Sequence, residues 1–266
     1  MKIGVFDSGF GGLTVLRALL DRLPAADYVY LGDTARLPYG AKSQATVARY
    51  AVSSAGFLVD QGAEYLVIAC NTASALALDA IRDAVPVPVL GVIETGANAA
   101  KASTQSGDVL VIATAATVES HAYAAACRER ELRAYEKACP LLVPLIEEGW
   151  IDHRVTEEVL QIYLDELLAE SANVGLNPDT LVLGCTHYPL LRAHIERRLD
   201  PAIRVIDSAD STAVQVAAAL AVPALPNNLT PERSFYATDS VQKFRRLGVR
   251  FLGQPMDRVQ LIDLGG

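Results

Sequence analysis

The chain has 266 residues, 51% hydrophobic and 20% charged, with 31 acidic against 23 basic residues and a net charge of −8. That is enough apolar material for one large or two modest packed domains, and the negative field disfavours nucleic acid and anionic membranes as partners. No apolar run approaches the roughly 18–20 residues needed to cross a bilayer, and Met1-Lys2-Ile3-Gly4 leads into a strand rather than a signal peptide. A soluble, cytoplasmic protein acting on a small molecule or binding another protein is expected.

In chain order, short Val/Ile/Leu-rich runs alternate with segments of helical period. The runs Ile3 to Phe6, Tyr28 to Leu31, Leu66 to Ala69, Val87 to Val92, Val109 to Ala113, Leu181 to Leu183 and Arg204 to Ile206 read as strands buried on both faces. Leu13, Leu16, Leu19/Leu20 and Leu23 mark a first amphipathic helix, and Val155, Val159, Ile162/Tyr163 and Leu167 the clearest one. Ser120 to Ala138 reads as helix-like. Pro223, Pro226 and Pro231 mark a loop before the last strand-like runs, Ser234 to Ala237 and Val259 to Leu264. The class is α/β with a largely parallel sheet.

Four cysteines, Cys70, Cys127, Cys139 and Cys185, form no C-x-x-C pair and predict free thiols rather than a disulfide framework or a zinc ribbon. Cys127 and Cys139 suit the role of small buried hydrophobes. The other two sit in matching surroundings, Leu66-Val67-Ile68-Ala69-Cys70-Asn71-Thr72 and Leu181-Val182-Leu183-Gly184-Cys185-Thr186-His187, which predicts two half-sites, one per lobe.

Asp7-Ser8-Gly9, Cys70-Asn71-Thr72, Thr114 to Thr117 and Cys185-Thr186-His187 all fall where a strand hands over to a helix. That edge of a parallel sheet is where ligands bind, because helix N-terminal N–H groups converge there. Glycines 9, 11 and 12 let the backbone approach a ligand, and Ser8, Thr72, Thr114, Thr117 and Thr186 add hydroxyls without charge. The set reads as a carboxylate socket. Helix capping explains each residue singly, but less readily four polar turns on one edge, two of them carrying a thiol.

His187 is a satisfied capping or core residue, a metal ligand or a partner to Cys185, since a nearby imidazolium promotes thiolate formation. The spacing of Cys70, Cys185, His187 and Asp7 argues against zinc. Asp7 ends a strand that can neighbour that of Cys70 and could handle its proton.

The segments Gly4-Val5-Phe6-Asp7-Ser8-Gly9-Phe10-Gly11-Gly12-Leu13-Thr14, Asp33-Thr34 with Pro38-Tyr39-Gly40, Ala69-Cys70-Asn71-Thr72-Ala73 and Leu183-Gly184-Cys185-Thr186-His187-Tyr188-Pro189-Leu190 resemble the glutamate racemases of the cofactor-independent aspartate/glutamate racemase superfamily. The likeness spans essentially the whole chain. Histidine after Cys185-Thr186, where aspartate-racemising relatives usually place an acid, favours glutamate. Ala113-Thr114 stands where the family commonly has Gly-Thr, and Thr95 where it has proline.

The resemblance implies two pseudo-symmetric α/β lobes with mostly parallel sheets flanked by helices and the active site between them. Residues 1–95 with 210–266 would form the lobe carrying Cys70, and 96–209 the lobe carrying Cys185. It implies that Cys70 takes the Cα proton of D-glutamate while Cys185 reprotonates the opposite face, with roles exchanged for L-glutamate, and that Asp7 and His187 assist. Asp7, Ser8, Pro38, Tyr39, Gly40, Asn71, Thr72, Thr114, Thr117, Thr186 and His187 would contact substrate, and Glu147 matches an acidic position implicated in some members.

No cofactor and no metal are implied; pyridoxal phosphate would need a Schiff-base lysine, and Lys2, Lys42, Lys101, Lys137 and Lys243 lie away from these turns. The product would serve bacterial peptidoglycan synthesis, and a homodimer is one assembly the family allows. The competing expectations are a racemase of aspartate or another acidic substrate, and a non-catalytic carboxylate-binding or interaction protein on the same scaffold.

Overall fold

The computed structural model describes residues 1–220, 230–256 and 258–265, so Pro223 and Pro226 of the expected loop lie outside the described residues. Ten strands are described: β1 (Lys2–Asp7), β2 (Asp27–Gly32), β3 (Tyr65–Ile68), β4 (Val89–Gly91), β5 (Asp108–Ala113), β6 (Arg133–Ala138), β7 (Thr180–Gly184), β8 (Arg204–Asp207), β9 (Arg233–Ala237) and β10 (Val259–Leu261). They form two sheets, ordered β10-β9-β2-β1-β3-β4 and β6-β5-β7-β8. Every pairing is parallel. The C-terminal strands β9 and β10 thus complete the sheet begun by β1 and β2.

Parallel strands covered by helices on both faces have no solvent side, so they are continuous apolar runs. All six residues of β5 are buried, as are the last five of β1. Helix Leu13–Arg22 buries Leu13, Leu16, Leu19 and Leu20, as its spacing predicts. The stripe expected on the long helix Arg154–Asn173 is rotated. Its buried residues are Thr156, Leu160, Leu164, Leu167 and Ser171, and Ile162 points to solvent. Two interleaved apolar stripes share that helix, and packing against the sheet selects the one that includes small Thr156 and Ser171.

The helix-like reading of Ser120 to Ala138 holds only for Ala122–Arg128; Arg133–Ala138 is the edge strand β6. Its Arg-Ala-Tyr-Glu-Lys-Ala sequence favours helix by composition, but pairing with β5 over six register partners overrides it. Edge position explains the polarity, since only one side of the strand is covered. At two other ends the strands are shorter than expected: Val92 begins helix Val92–Ser103, and β10 ends at Leu261.

The chain crosses between the sheets through helices Val92–Ser103 and Ser208–Ala219, which pack on each other and share a Thr95–Thr212 hydroxyl contact of 2.8 Å. One apolar cluster containing Val5, Leu13, Leu110 and Leu183 reaches both sheets. The carboxyl ends of β3, β5 and β7 deliver Cys70, Thr114 and Cys185 to a common cleft, and β1 ends in Asp7 just behind it.

Candidate active site

Cys70 caps the helix Asn71–Leu76, its sulfur accepting the Ala73 N–H at 3.4 Å, while its thiol donates to Ser8 Oγ at 3.4 Å. β3 lies beside β1, so Asp7 ends the neighbouring strand. Burial, together with the Asp7 charge, pushes the Cys70 thiol up to about 12. A helix N-terminus ordinarily lowers a thiol, but here desolvation wins. Burial also raises the Asp7 carboxyl, against the pull of His187 and the N–H groups of Gly9 and Gly12. Asp7 Oδ2 accepts from Gly9 at 2.8 Å, and Oδ1 is buried without a partner.

Cys185 follows β7, and its sulfur is 3.9 Å from His187 Nδ1. The other ring nitrogen, Nε2, meets Glu147 Oε1 at 3.3 Å. Burial alone would depress the histidine, but the contacts with Cys185 and Glu147 outweigh it and lift His187 to about 10. Glu147 is in turn held below the usual range despite burial, by His187 and by Lys243. The chain after His187 enters the 3-10 turn Tyr188–Leu191, which is anchored by the Tyr188 hydroxyl donating to the carbonyls of Ala113 and Cys139.

Gly11 lets the half-sites approach each other, and Gly12 makes room for Asp7 within its own half. A methyl on Gly11 would overlap Thr186 Oγ1 and His187 Nδ1, and one on Gly12 would overlap the Asp7 side chain. Across the cleft, Thr72 Oγ1 is 3.0 Å from Thr114 Oγ1 and 3.3 Å from Thr117 Oγ1, and the last two are 2.9 Å apart. Capping does not explain this ring, since Thr114 makes no side-chain cap bond to the helix it precedes.

Both cysteines line one cavity of about 850 Å³, with Ser8, Pro38, Tyr39, Gly40, Asn71, Thr72, Thr114, Thr186 and His187. Asp7 and Thr117 stand behind that wall, Asp7 against Gly12 and Thr117 in the hydroxyl ring. Among the described residues no group of three or more His, Cys, Asp or Glu could hold a metal ion, so the metal-ligand reading of His187 finds no ligand set. Nor is any described helix long and apolar enough to cross a membrane.

Residues 3–216 match the model of the Asp/Glu/hydantoin racemase family. The chain belongs to that family. It is similar to a glutamate racemase of Koribacter versatilis, 51% identical over 99% of this chain and 98% of that protein, and to one of Syntrophus aciditrophicus, 48% identical over 98% and 96%. It is also similar to a crystal structure of glutamate racemase from Francisella tularensis in complex with D-glutamate (TM-score 0.89, 37% identity, covering 99% of this chain and 97% of that one).

The candidate site of this racemase also gathers residues that the sequence alone did not bring to it. The lysines do not all lie away from the cleft: Lys42 and Lys243 both line it, and Lys243 Nζ is 3.4 Å from Glu147 Oε2. Glycine-rich turns mark a site locally, whereas Lys243 comes from a helix more than fifty residues after Cys185 and only the return of the C-terminal segment brings it in. Tyr123 and Asp33 stand behind the wall, Tyr123 reaching in from the four-stranded half and Asp33 following β2. The Tyr123 hydroxyl donates to Asn71 Oδ1, and Asp33 accepts from Tyr39 at 2.6 Å and from Thr238 at 2.9 Å, fixing the Pro38-Tyr39-Gly40 wall. Cys127 and Cys139 are fully buried and line no part of the cavity.

Proposed function

We propose that this racemase interconverts L- and D-glutamate with Cys70 and Cys185 as the two acid–base groups, one on each face of Cα. The observation that carries the reading is that the two thiols, from matching strand ends of separate sheets, line one cavity. Inversion needs a proton acceptor and a proton donor on opposite faces of the carbanion, and a single base would return the proton to the face it left.

Each thiol has its own partner. Cys70 works with Asp7, whose unpartnered Oδ1 can take or return its proton, and Cys185 works with His187 backed by Glu147. Cys70 rests as a thiol, the form required to donate when L-glutamate is the substrate. With D-glutamate it must first lose that proton.

Charge then moves from Cα onto the α-carboxylate. The Asn71 Nδ2 group, buried without a partner, and the hydroxyls of Ser8, Thr72, Thr114 and Thr186 are donors available to it in the cavity. Thr117 holds Thr72 and Thr114 in place, and Pro38, Tyr39 and Gly40 close the wall.

The lobe boundaries are placed within helices Val92–Ser103 and Ser208–Ala219, giving 1–95 with 210–266 and 96–209. The enzyme is assigned to the cytoplasm, where its D-glutamate feeds peptidoglycan synthesis. A homodimer is proposed as the assembly, and light scattering tests it by mass.

The function is tested by incubating the protein with enantiopure amino acids and resolving the products by chiral chromatography. Glutamate of either hand should racemise to equal amounts of both. Turnover of aspartate in preference to glutamate, or binding of glutamate without turnover, would sink the assignment.

A further inference from the structure

Lys243 stands on helix Val241–Leu252, which packs against Leu13–Arg22 and β10 in the six-stranded half. Its ammonium nevertheless reaches Glu147, at the end of helix Leu142–Glu147 in the other half, 3.4 Å from Oε2. The remaining oxygen of that carboxylate, Oε1, is the one that faces His187 Nε2 at 3.3 Å. One carboxylate therefore bridges a lysine from one half and the histidine of the other. The same helix also supplies Phe251, whose ring stands edge-on to His187 with centroids 5.1 Å apart.

We propose that Lys243 is a positioning residue for the racemisation: it holds Glu147 with Oε1 toward His187, and through His187 sets the proton supply to Cys185. The inference rests on the two-thiol reading above. Its physical basis is the freedom of a glutamate side chain at the cavity edge. Glu147 lines the open cavity, and without a second partner its carboxylate can turn into that space, leaving Nε2 unpaired. Lys243 is 41% exposed at its side chain, so the ion pair itself contributes little stability. What it supplies is orientation.

Other groups act on the same histidine and are held constant by the test. Cys185 faces Nδ1, and Asp7 acts across the Gly11-Gly12 loop from the end of β1. Lys243 itself is packed 5.5 Å from the centre of the Phe10 ring, an apolar neighbour that leaves Glu147 as its carboxylate.

The experiment compares wild type, Lys243→Met, Lys243→Arg, Glu147→Gln and the double variant Lys243→Met/Glu147→Gln, with kcat and KM for both enantiomers of glutamate across pH 6 to 11. In Lys243→Met, kcat should fall about five-fold with KM little changed, and the alkaline limb of the kcat profile should move to lower pH as His187 loses its carboxylate. Lys243→Arg should restore both. In the Glu147→Gln background, Lys243→Met should have no further effect, because it acts only through that carboxylate.

An alkaline limb that stays in place would show a merely structural role. One that moves to higher pH would show loss of a positive charge beside an imidazolium whose carboxylate has not turned. Effects that multiply in the double variant would place Lys243 on another route. Each of these overturns the inference while leaving the two-thiol reading intact. A wild type that fails to racemise glutamate would overturn that reading instead.

Discussion

The Tyr123 hydroxyl donates to Asn71 Oδ1 at 2.7 Å, joining helix Ala122–Arg128 of the four-stranded half to the helix that Cys70 caps in the six-stranded half. The bond consumes the acceptor of the Asn71 amide and turns its Nδ2 toward a buried space with no protein partner. A buried donor left unpaired is costly and marks a place kept for another molecule.

Replacing Tyr123 by Phe should therefore release the Asn71 amide without emptying the core. The KM for both enantiomers should rise about five-fold, matching the roughly 1 kcal/mol of one buried hydrogen bond, with stability lower by a similar amount. Steady-state kinetics and urea denaturation measure the two. An unchanged KM would show that Asn71 does not meet substrate.

Gly11→Ala should cost more. The new methyl would overlap Thr186 Oγ1 and His187 Nδ1, so the turn after Cys185 must move, at about 1–3 kcal/mol by the usual cost of overpacking. Racemisation should fall at least about ten-fold, since shifts of this kind misplace reacting groups. Gly56→Ala is the control. It lies in helix Gln44–Asp60 with nothing within 4 Å of the added carbon, and should stabilise by about 0.5–1 kcal/mol with activity intact.

Stability should decline on the alkaline side. His187 is raised in the folded protein to about 10 from its usual 6.5, so its contribution is complete below about pH 6.5 and is lost as pH rises through 10. Cys70, raised to about 12, acts with the same sign at higher pH. Urea unfolding of wild type and His187→Gln should show a gap that is widest near pH 6 and narrows toward pH 10. A gap that widens with pH would mean the imidazole is buried neutral.

The two directions of the reaction are bound together by the equal free energies of D- and L-glutamate, so kcat/KM must be the same from either side in every variant. Asymmetry between the half-sites can appear only in kcat and KM separately. Asp7→Asn removes the group that relieves Cys70 of its proton. It should lower kcat on the order of 100-fold with D-glutamate and less with L-glutamate, and progress curves from each pure enantiomer measure both. Equal losses of kcat in the two directions would remove Asp7 from its place beside Cys70.

What was legible in the sequence was what is local. The matching apolar strands before Cys70 and Cys185 and the polar turns after them act within a few residues of their own position, and the cavity gathers them; Gly11 was legible as a close approach, but not that the approach is to Thr186 and His187. What was not legible depends on pairing at a distance. Arg133–Ala138 has a helical composition and becomes a strand only because β5 offers an edge. The face of Arg154–Asn173 is chosen by what packs on it rather than by its own stripe. Lys243 reaches Glu147, 96 positions away, only because β9 and β10 return beside β2. The shift of Cys70 was hidden for a similar reason, since a helix N-terminus is visible in sequence and desolvation is not.

The central claim is that each thiol serves one face of Cα, and α-hydrogen exchange in D2O, followed by proton NMR on enantiopure glutamate, tests it most directly. Wild type should exchange and racemise either enantiomer. Cys70→Ser should exchange the α-hydrogen of L-glutamate alone and Cys185→Ser that of D-glutamate alone, with racemisation lost in both. Full racemisation by either single variant, or exchange of both enantiomers by both variants, would contradict the account.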